Sequence, residues 1–284
     1  MEQMLTEIQN AKRIVLKVGT STLTYPNGKL NLKRIDMLVR VLSDLKNQGR
    51  QIVLVTSGAI GVGVGKMGLK KRPSSIKGKQ AVAAVGQCEL MHLYDKLFSE
   101  YNHVVAQILL TKDVVEIPNR KKNAINTLET LLKMNVIPIV NENDTVSIEE
   151  LTCTFGENDT LSAVVAKLID ADLLVNLSDI DGLYNADPRN DVNATLIPVV
   201  QKITQETRGL AGGAGSSQGT GGMCSKIVAA QIACRAGVHM IIASGQNPQI
   251  LYDIFEGKQV GTLFLREEKH QDSKRNNKGE YTDE

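Results

Sequence analysis

Residues 51–58 read QIVLVTSG, a run in which Ile52, Val53, Leu54 and Val55 follow one another before the chain breaks at Thr56, Ser57 and Gly58. A strand with one wet face alternates apolar and polar residues; a short strand with no polar side belongs in a parallel sheet covered by helices on both faces. Upstream, residues 13–19 (RIVLKVG) read as a strand that stops at glycine. Between the two, residues 30–49 place Leu32, Ile35, Leu38, Val39, Leu42 and Leu45 on one helical face, with Asn31 as the cap and Gly49 as the stop.

The alternation continues downstream. Residues 76–98 read as a helix, 104–110 (VVAQILL) as a strand, 119–134 as a helix and 136–140 (VIPIV) as a strand. Residues 160–169, the strand 173–177 (LLVNL), a helix after Gly222 and the strand 240–243 (MIIA) complete the series. This order predicts an α/β fold, a three-layer sandwich with a mostly parallel central sheet and right-handed crossovers. Polar stretches around 20–30 and 145–157 read as excursions at the rim of a site. Residues 1–266 are expected to form one domain, and 267–284, which have almost nothing to bury, a polar disordered tail.

A chain of 284 residues buries a full-sized core, and its formal charge of only +2, with both signs interspersed, gives no electrostatic case for nucleic acid. No apolar stretch is long enough to span a bilayer and the N-terminus has no signal-like apolar region, so a cytoplasmic protein without a membrane partner is expected. Cys88, Cys153, Cys224 and Cys234 form no CxxC pair or metal-ligand spacing, which fits reduced thiols; Cys88 and Cys234 are expected to pack in helices and Cys224 to be exposed. His92, His103, His239 and His270 show no ligand spacing either, and no protein metal site is predicted.

In a parallel sheet, ligands sit beyond the carboxyl ends of the strands. The segments at those ends are rich in polar groups: Lys17, Gly19, Thr20 and Ser21; Ser57, Gly58 and Ala59; Asn141 to Asp144; Ser178, Asp179 and Asp181. Lys17 is unusual inside an apolar run. It reads either as an edge lysine with a snorkelling stem or as a cation reaching toward transferring phosphoryl oxygens. Residues 209–226 (GLAGGAGSSQGTGGMCSK) form a glycine-dense loop running into a helix, and this loop reads either as a flexible connection or as a backbone cradle for phosphate with Lys226 beside it. No Gly-Lys-Ser/Thr closes it, so a kinase here is not of the P-loop type.

Residues 61–68 (GVGVGKMG) satisfy the dinucleotide fingerprint formally, at Gly63, Gly65 and Gly68, but begin well after the strand ends and lack the partner acid, so a nicotinamide site is set aside. Residues 155–163 (FGENDTLSA) put Glu157, Asn158 and Asp159 just before a helix. Asp159 or Asn158 then serves as a cap, or Asp159 orients the two lysines while Asn158 bonds an amino-acid substrate. Asp187, Pro188 and Arg189 read as a turn beside the strand-end acids.

Seven blocks, KVGTS (17–21), VTSGAIGVG (55–63), AAVGQ (83–87), PIVNENDTV (138–146), FGENDTLSA (155–163), DGLYNADPR (181–189) and GTGGMCSK (219–226), resemble in this order the glutamate 5-kinase family of the amino-acid kinases, over residues 12–265. That resemblance implies ATP-dependent phosphorylation of the L-glutamate side-chain carboxylate to L-glutamyl 5-phosphate, the first step of proline biosynthesis. It implies that Lys17 and Lys226 stabilise the transferring group and Asp159 organises them, and that Ser57, Gly58, Ala59, Asp144 and Asn158 bind glutamate. Ser178, Asp179, Gly219, Thr220, Gly221, Gly222, Met223 and Lys226 would hold ATP, with Mg2+ bridging its phosphates. The resemblance further implies feedback inhibition by proline, transfer of the product to a following glutamyl phosphate reductase, and a homo-oligomer, dimer or tetramer. Two departures stand out: Glu157 replaces the aspartate common before Asn-Asp, and the chain is too short for the C-terminal PUA domain of many members. The alternatives are a relative acting on acetylglutamate, aspartate or carbamate, and a non-catalytic nucleotide- or metabolite-binding protein.

Overall fold

The computed structural model describes residues 2–25, 28–111, 113–146, 158–210 and 222–268. Gly219, Thr220 and Gly221, Glu157, Cys153, His270, the excursion beyond 146 and the tail from 269 onward lie outside the described residues. The strands are β1 (Arg13–Val18), β2 (Gln51–Val55), β3 (Val105–Leu110), β4 (Ile137–Glu142), β5 (Leu173–Ser178), β6 (Val199–Val200), β7 (His239–Ser244) and β8 (Thr262–Phe264). The helices are α1 (Glu2–Gln9), α2 (Thr20–Leu23), α3 (Leu32–Asn47), α4 (Ala59–Lys66), α5 (Ile76–Ser99), α6 (Asp113–Glu116), α7 (Pro118–Lys133), α8 (Asn158–Leu168), α9 (Gln205–Gly209), α10 (Met223–Arg235) and α11 (Ile250–Phe255).

One sheet runs in the order β3-β4-β2-β1-β5-β7-β8-β6, parallel except where β8 lies antiparallel to β7. Strand alternation divides the core into two layers. Ile14, Leu16 and Val18 of β1, Ile52 and Leu54 of β2 and Leu173, Val175 and Leu177 of β5 face α3, α5 and α11, packing on Leu38, Leu42, Tyr94, Phe98 and Leu251. Val15, Val53, Val55, Val140 and Leu174 face the other way, onto α7, α8 and α10 through Leu128, Leu161, Val165, Ile227 and Ala230. Each such side chain, fully buried, contributes about 1.5–3 kcal/mol, which is why strands without a polar side suit a covered sheet.

β1 is central. The chain lays β2, β4 and β3 on one side of it and crosses to β5 on the other, so the crevice beyond the carboxyl ends of β1 and β5 is where an open α/β sheet takes its ligand.

Local signals behave as their chemistry dictates. The Asn31 side chain accepts from Arg34 N at the start of α3, and Gly49 takes φ +89° just past its end. The helix α4 departs from expectation: its sequence, AIGVGVGK, is glycine-rich and a poor helix former. It is held by backbone packing on α5, where a Cβ added to Gly86 would stand 1.7 Å from the Ala59 carbonyl oxygen and 2.5 Å from Gly63 N. Helices α1 and α11 are further elements that the sequence patterns do not predict, and Cys88, expected to pack, is exposed on the outer face of α5.

Candidate active site

Strand alternation dictates where Lys17 points. It shares a face with Val15, toward α8 and α10, and it stands in register with Val55 on β2 and Asn176 on β5. There its Nζ lies 2.5 Å from Asp159 Oδ1, at the second residue of α8. Lys226, in the first turn of α10, brings its Nζ to 3.1 Å from Asp159 Oδ2. All three residues are at least nine-tenths buried, with relative exposures of 7 % for Lys17, 1 % for Asp159 and 4 % for Lys226. Residues from three distant parts of the chain thus form one cation–carboxylate–cation unit.

Two neutral donors complete it. Asn176 Nδ2 donates to Asp159 Oδ1 at 2.9 Å and Ser225 Oγ donates to Oδ2 at 2.8 Å. Burial alone would raise the Asp159 carboxyl; the ammonium groups of Lys17 and Lys226, with the hydrogen bonds from Lys17 and Ser225, outweigh it and hold the group well below the ordinary carboxylate range. Asp159 is therefore a fixed anion at neutral pH and no candidate for a proton shuttle. Within this unit two cations stand against one anion.

Asn158 links this unit to the end of β2 by donating from Nδ2 to Ser57 Oγ at 2.9 Å, while its buried Oδ1 has no hydrogen-bond partner among the described residues. Gly58 comes next at φ +94°, a conformation that suits glycine, and opens α4 without a side-chain cap. Ala59 is the first helical residue, so its N–H and those just after it have no intrahelical carbonyl to bond. Beneath them Thr56 Oγ1 and Tyr94 OH are bonded at 3.0 Å, and Asn141 Nδ2 donates to Gln87 Oε1 at 2.7 Å. Asp144 lies half-buried beyond β4; burial and repulsion from Glu142, opposed by Arg72, push its carboxyl up to about 6.

Ser178 closes β5, buried, with its Oγ donating to the exposed Asp179 Oδ1 at 3.0 Å. Gly222 caps α10 and Met223 is its first residue. Gly19, Gly58 and Gly222 all open helices with no side-chain cap bond, leaving backbone N–H donors beside the crevice. Of the sequence-predicted nucleotide set, Gly219, Thr220 and Gly221 lie outside the described residues.

Two members of the unit, Asn176 and Ser225, are not among the sequence-predicted site residues. Asn176 carries the same signal that singles out Lys17, a polar residue inside an apolar strand, LLVNL. Ser225 carries none, since a serine in a first helical turn is commonplace. His103, just before β3, is buried against the Ser43 carbonyl and His239, the first residue of β7, against Glu7, both at the amino ends of strands and away from the crevice. Among the described residues no cluster of three or more His, Cys, Asp or Glu is arranged to hold a metal ion.

The family profile described as Amino acid kinase family matches residues 12–244. A glutamate 5-kinase of Clostridium perfringens is 56 % identical over 264 residues, covering 92 % of this chain and 98 % of the relative. The chain belongs to the glutamate 5-kinase branch of the amino acid kinase family. A glutamate 5-kinase of Enterococcus faecalis is 55 % identical over 265 residues, covering 93 % and 98 % of the two chains. Among solved structures, a UMP kinase from Bacillus anthracis superposes with TM-score 0.60 at 14 % identity over 90 % of this chain and 96 % of that one. An isopentenyl phosphate kinase from T. acidophilum gives 0.58 at 17 % over 89 % and 100 %. At such identities these two likenesses speak for the fold alone.

Proposed function

We propose that the chain catalyses ATP-dependent phosphorylation of the L-glutamate side-chain carboxylate to L-glutamyl 5-phosphate, the first step of proline biosynthesis. The observation that carries this reading is the buried Lys17–Asp159–Lys226 unit at the carboxyl ends of β1 and β5. The donor set fits a phosphate chain: the ammonium groups of Lys17 and Lys226 and the uncapped helix N-terminus at Gly222. ATP supplies the γ-phosphoryl group, which forms a bond to a carboxylate oxygen of glutamate as its bond to ADP breaks. Mg2+ bound with the nucleotide would supply further positive charge to the phosphates beside Lys17 and Lys226, with no cluster of three or more His, Cys, Asp or Glu among the described residues to hold it.

A side-chain carboxylate is already a nucleophile and needs no base. The difficulty is bringing it against a polyanion, and Lys17 and Lys226 answer that by neutralising charge on the transferring group from two sides. Asp159 holds them in place. Ser57, Asn158, Asp144 and the backbone of Gly58 and Ala59 form the glutamate side; Asn158 Oδ1, buried and unpartnered among the described residues, is an acceptor suited to the substrate ammonium. Ser178, Asp179, Gly222, Met223 and Lys226, with Gly219, Thr220 and Gly221, form the ATP side. The proposal extends to inhibition by proline, transfer of the acyl phosphate to a reductase, and a homo-oligomer. Among the described residues no helix is long and apolar enough to cross a membrane.

The test is ADP formation with ATP, Mg2+ and a panel of glutamate, N-acetylglutamate, aspartate and carbamate, with hydroxylamine trapping the acyl phosphate. Glutamate-dependent hydroxamate is expected; turnover confined to another acceptor, or none at all, overturns the reading.

A further inference from the structure

Among the described residues the Asp159 carboxylate has four hydrogen-bonding partners, two charged and two neutral. Oδ1 takes Lys17 and Asn176; Oδ2 takes Lys226 and Ser225. An ionised carboxylate offers about four lone-pair sites, so this one is filled on both oxygens in the same pattern, one ammonium and one neutral donor on each.

The neutral donors sit where packing alone would not put them. Asn176 has no exposed surface and lies in a strand whose neighbours Leu174, Val175 and Leu177 are core residues. Its Oδ1 is buried without a hydrogen-bond partner among the described residues, a desolvation cost that an apolar side chain there would avoid. Ser225 is buried in the first turn of α10, one residue before Lys226, and its single O–H is shared between Asp159 Oδ2 and the Gly222 carbonyl, each at 2.8 Å. Without them a carboxylate between two flexible ammonium groups is free to turn about its Cβ–Cγ bond, exchanging oxygens or drawing both lysines to one.

We propose that Asn176 and Ser225 are positioning residues for phosphoryl transfer. By locking the Asp159 carboxylate they commit each lysine to its own oxygen and set the spacing of the two cations that flank the transferring group. Asn176 fixes the β1 side, being the register partner of Lys17 on the adjoining strand; Ser225 fixes the α10 side. This rests on the phosphoryl-transfer reading above, and the test separates the two.

The variants are Ser225→Ala, Ser225→Thr, Asn176→Ala and Asn176→Leu. In steady state, Ser225→Ala and the Asn176 variants are expected to lower kcat by about tenfold or more, as misplacing a catalytic group does, with KM for glutamate and ATP within about threefold. Ser225→Thr, which keeps the hydroxyl, restores most of kcat. A kcat within about twofold of wild type for Ser225→Ala overturns the proposal, as does a Ser225→Thr variant as slow as Ser225→Ala. Should both Asn176 variants fail to fold, the Ser225 pair decides. A readout independent of turnover is the crystal structure of ligand-free Ser225→Ala: a turned Asp159 carboxylate that has lost the Lys226 contact supports the inference, and an unmoved carboxylate with both lysine contacts refutes it. That comparison stands even if the wild-type protein shows no glutamate-dependent activity, an outcome that removes the functional reading alone.

Discussion

Lys17 and Asn176 are register partners on neighbouring parallel strands, and both side chains reach the same oxygen, Asp159 Oδ1, at 2.5 and 2.9 Å. Two polar residues side by side in an otherwise apolar sheet interior are tolerable only because α8 delivers an anion between them. The carboxylate in turn tolerates burial only because Lys226 and Ser225 approach its other oxygen. The unit is therefore interdependent, and its members should respond to perturbation together.

Asp159→Asn keeps the shape and removes the charge, leaving two buried ammonium groups facing each other. Loss of one partner from a buried pair costs about 3–5 kcal/mol, and turnover should fall with it. The pH dependence comes from the depressed carboxyl. A group whose folded value lies below its unfolded value, about 3.9 for aspartate, contributes stability that is present above the unfolded value and is lost as pH falls toward the folded one. Urea titrations should thus find the stability gap between wild type and Asp159→Asn constant from neutral pH down to about 5 and narrowing below about 4. A gap that widens on acidification contradicts the assignment.

Asp144 shifts the other way. With its carboxyl pushed up to about 6 by burial and Glu142, it loses its charge as the solution is acidified through that value. If it binds the substrate ammonium, KM for glutamate should rise several-fold between about pH 7.5 and about pH 5.5, as expected of a titrating partner. Asp144→Asn should have a high KM that changes far less over the same interval. A wild-type KM as flat as that of the variant removes Asp144 from the substrate side.

Gly86 lets α5 meet the first turn of α4 backbone to backbone, since a Cβ there would stand 1.7 Å from the Ala59 carbonyl oxygen. Gly86→Ala must push α4 away, with an overpacking cost of about 1–3 kcal/mol. Because Ala59 opens the helix beside Ser57, the same displacement should raise KM for glutamate. Thermal denaturation and steady-state kinetics check both, and a lowered melting temperature with an unchanged KM separates α4 from the substrate site.

The thiols give a readout of packing. Burial pushes the Cys234 thiol up to about 12 and shields it, whereas Cys88 and Cys224 are exposed. A thiol reagent with chromogenic release should modify Cys88 and Cys224 in the native protein and reach Cys234 only after unfolding; peptide mapping identifies each site. Saturating ATP with Mg2+ should slow labelling at Cys224, the second residue of α10, and leave Cys88 unaffected. Equal protection of both would place the nucleotide elsewhere.

Much of this is legible in the sequence because strand and helix periodicities are local. The apolar runs at β1, β2, β4 and β5 declare a covered parallel sheet, and the polar residues after them declare which edge carries chemistry. Lys17 is legible as a charge out of place, whereas the equally misplaced Asn176 escapes notice because an amide is less conspicuous than an ammonium. Helix α4 is hidden because its glycines argue against a helix, and only their close packing on α5 reveals why they are there.

The sequence by itself determined the α/β alternation, the crevice-facing ends of the strands and the residue types of a non-P-loop phosphoryl-transfer site. The tertiary structure decided which groups meet. Lys17, Asp159, Asn176 and Ser225–Lys226 come from β1, α8, β5 and α10. Their union depends on the register of Lys17 with Asn176 and on the docking of α8 against α10. Local periodicity constrains neither, because hydrogen-bond geometry across 2.5–3.1 Å is set by packing between elements far apart in the chain.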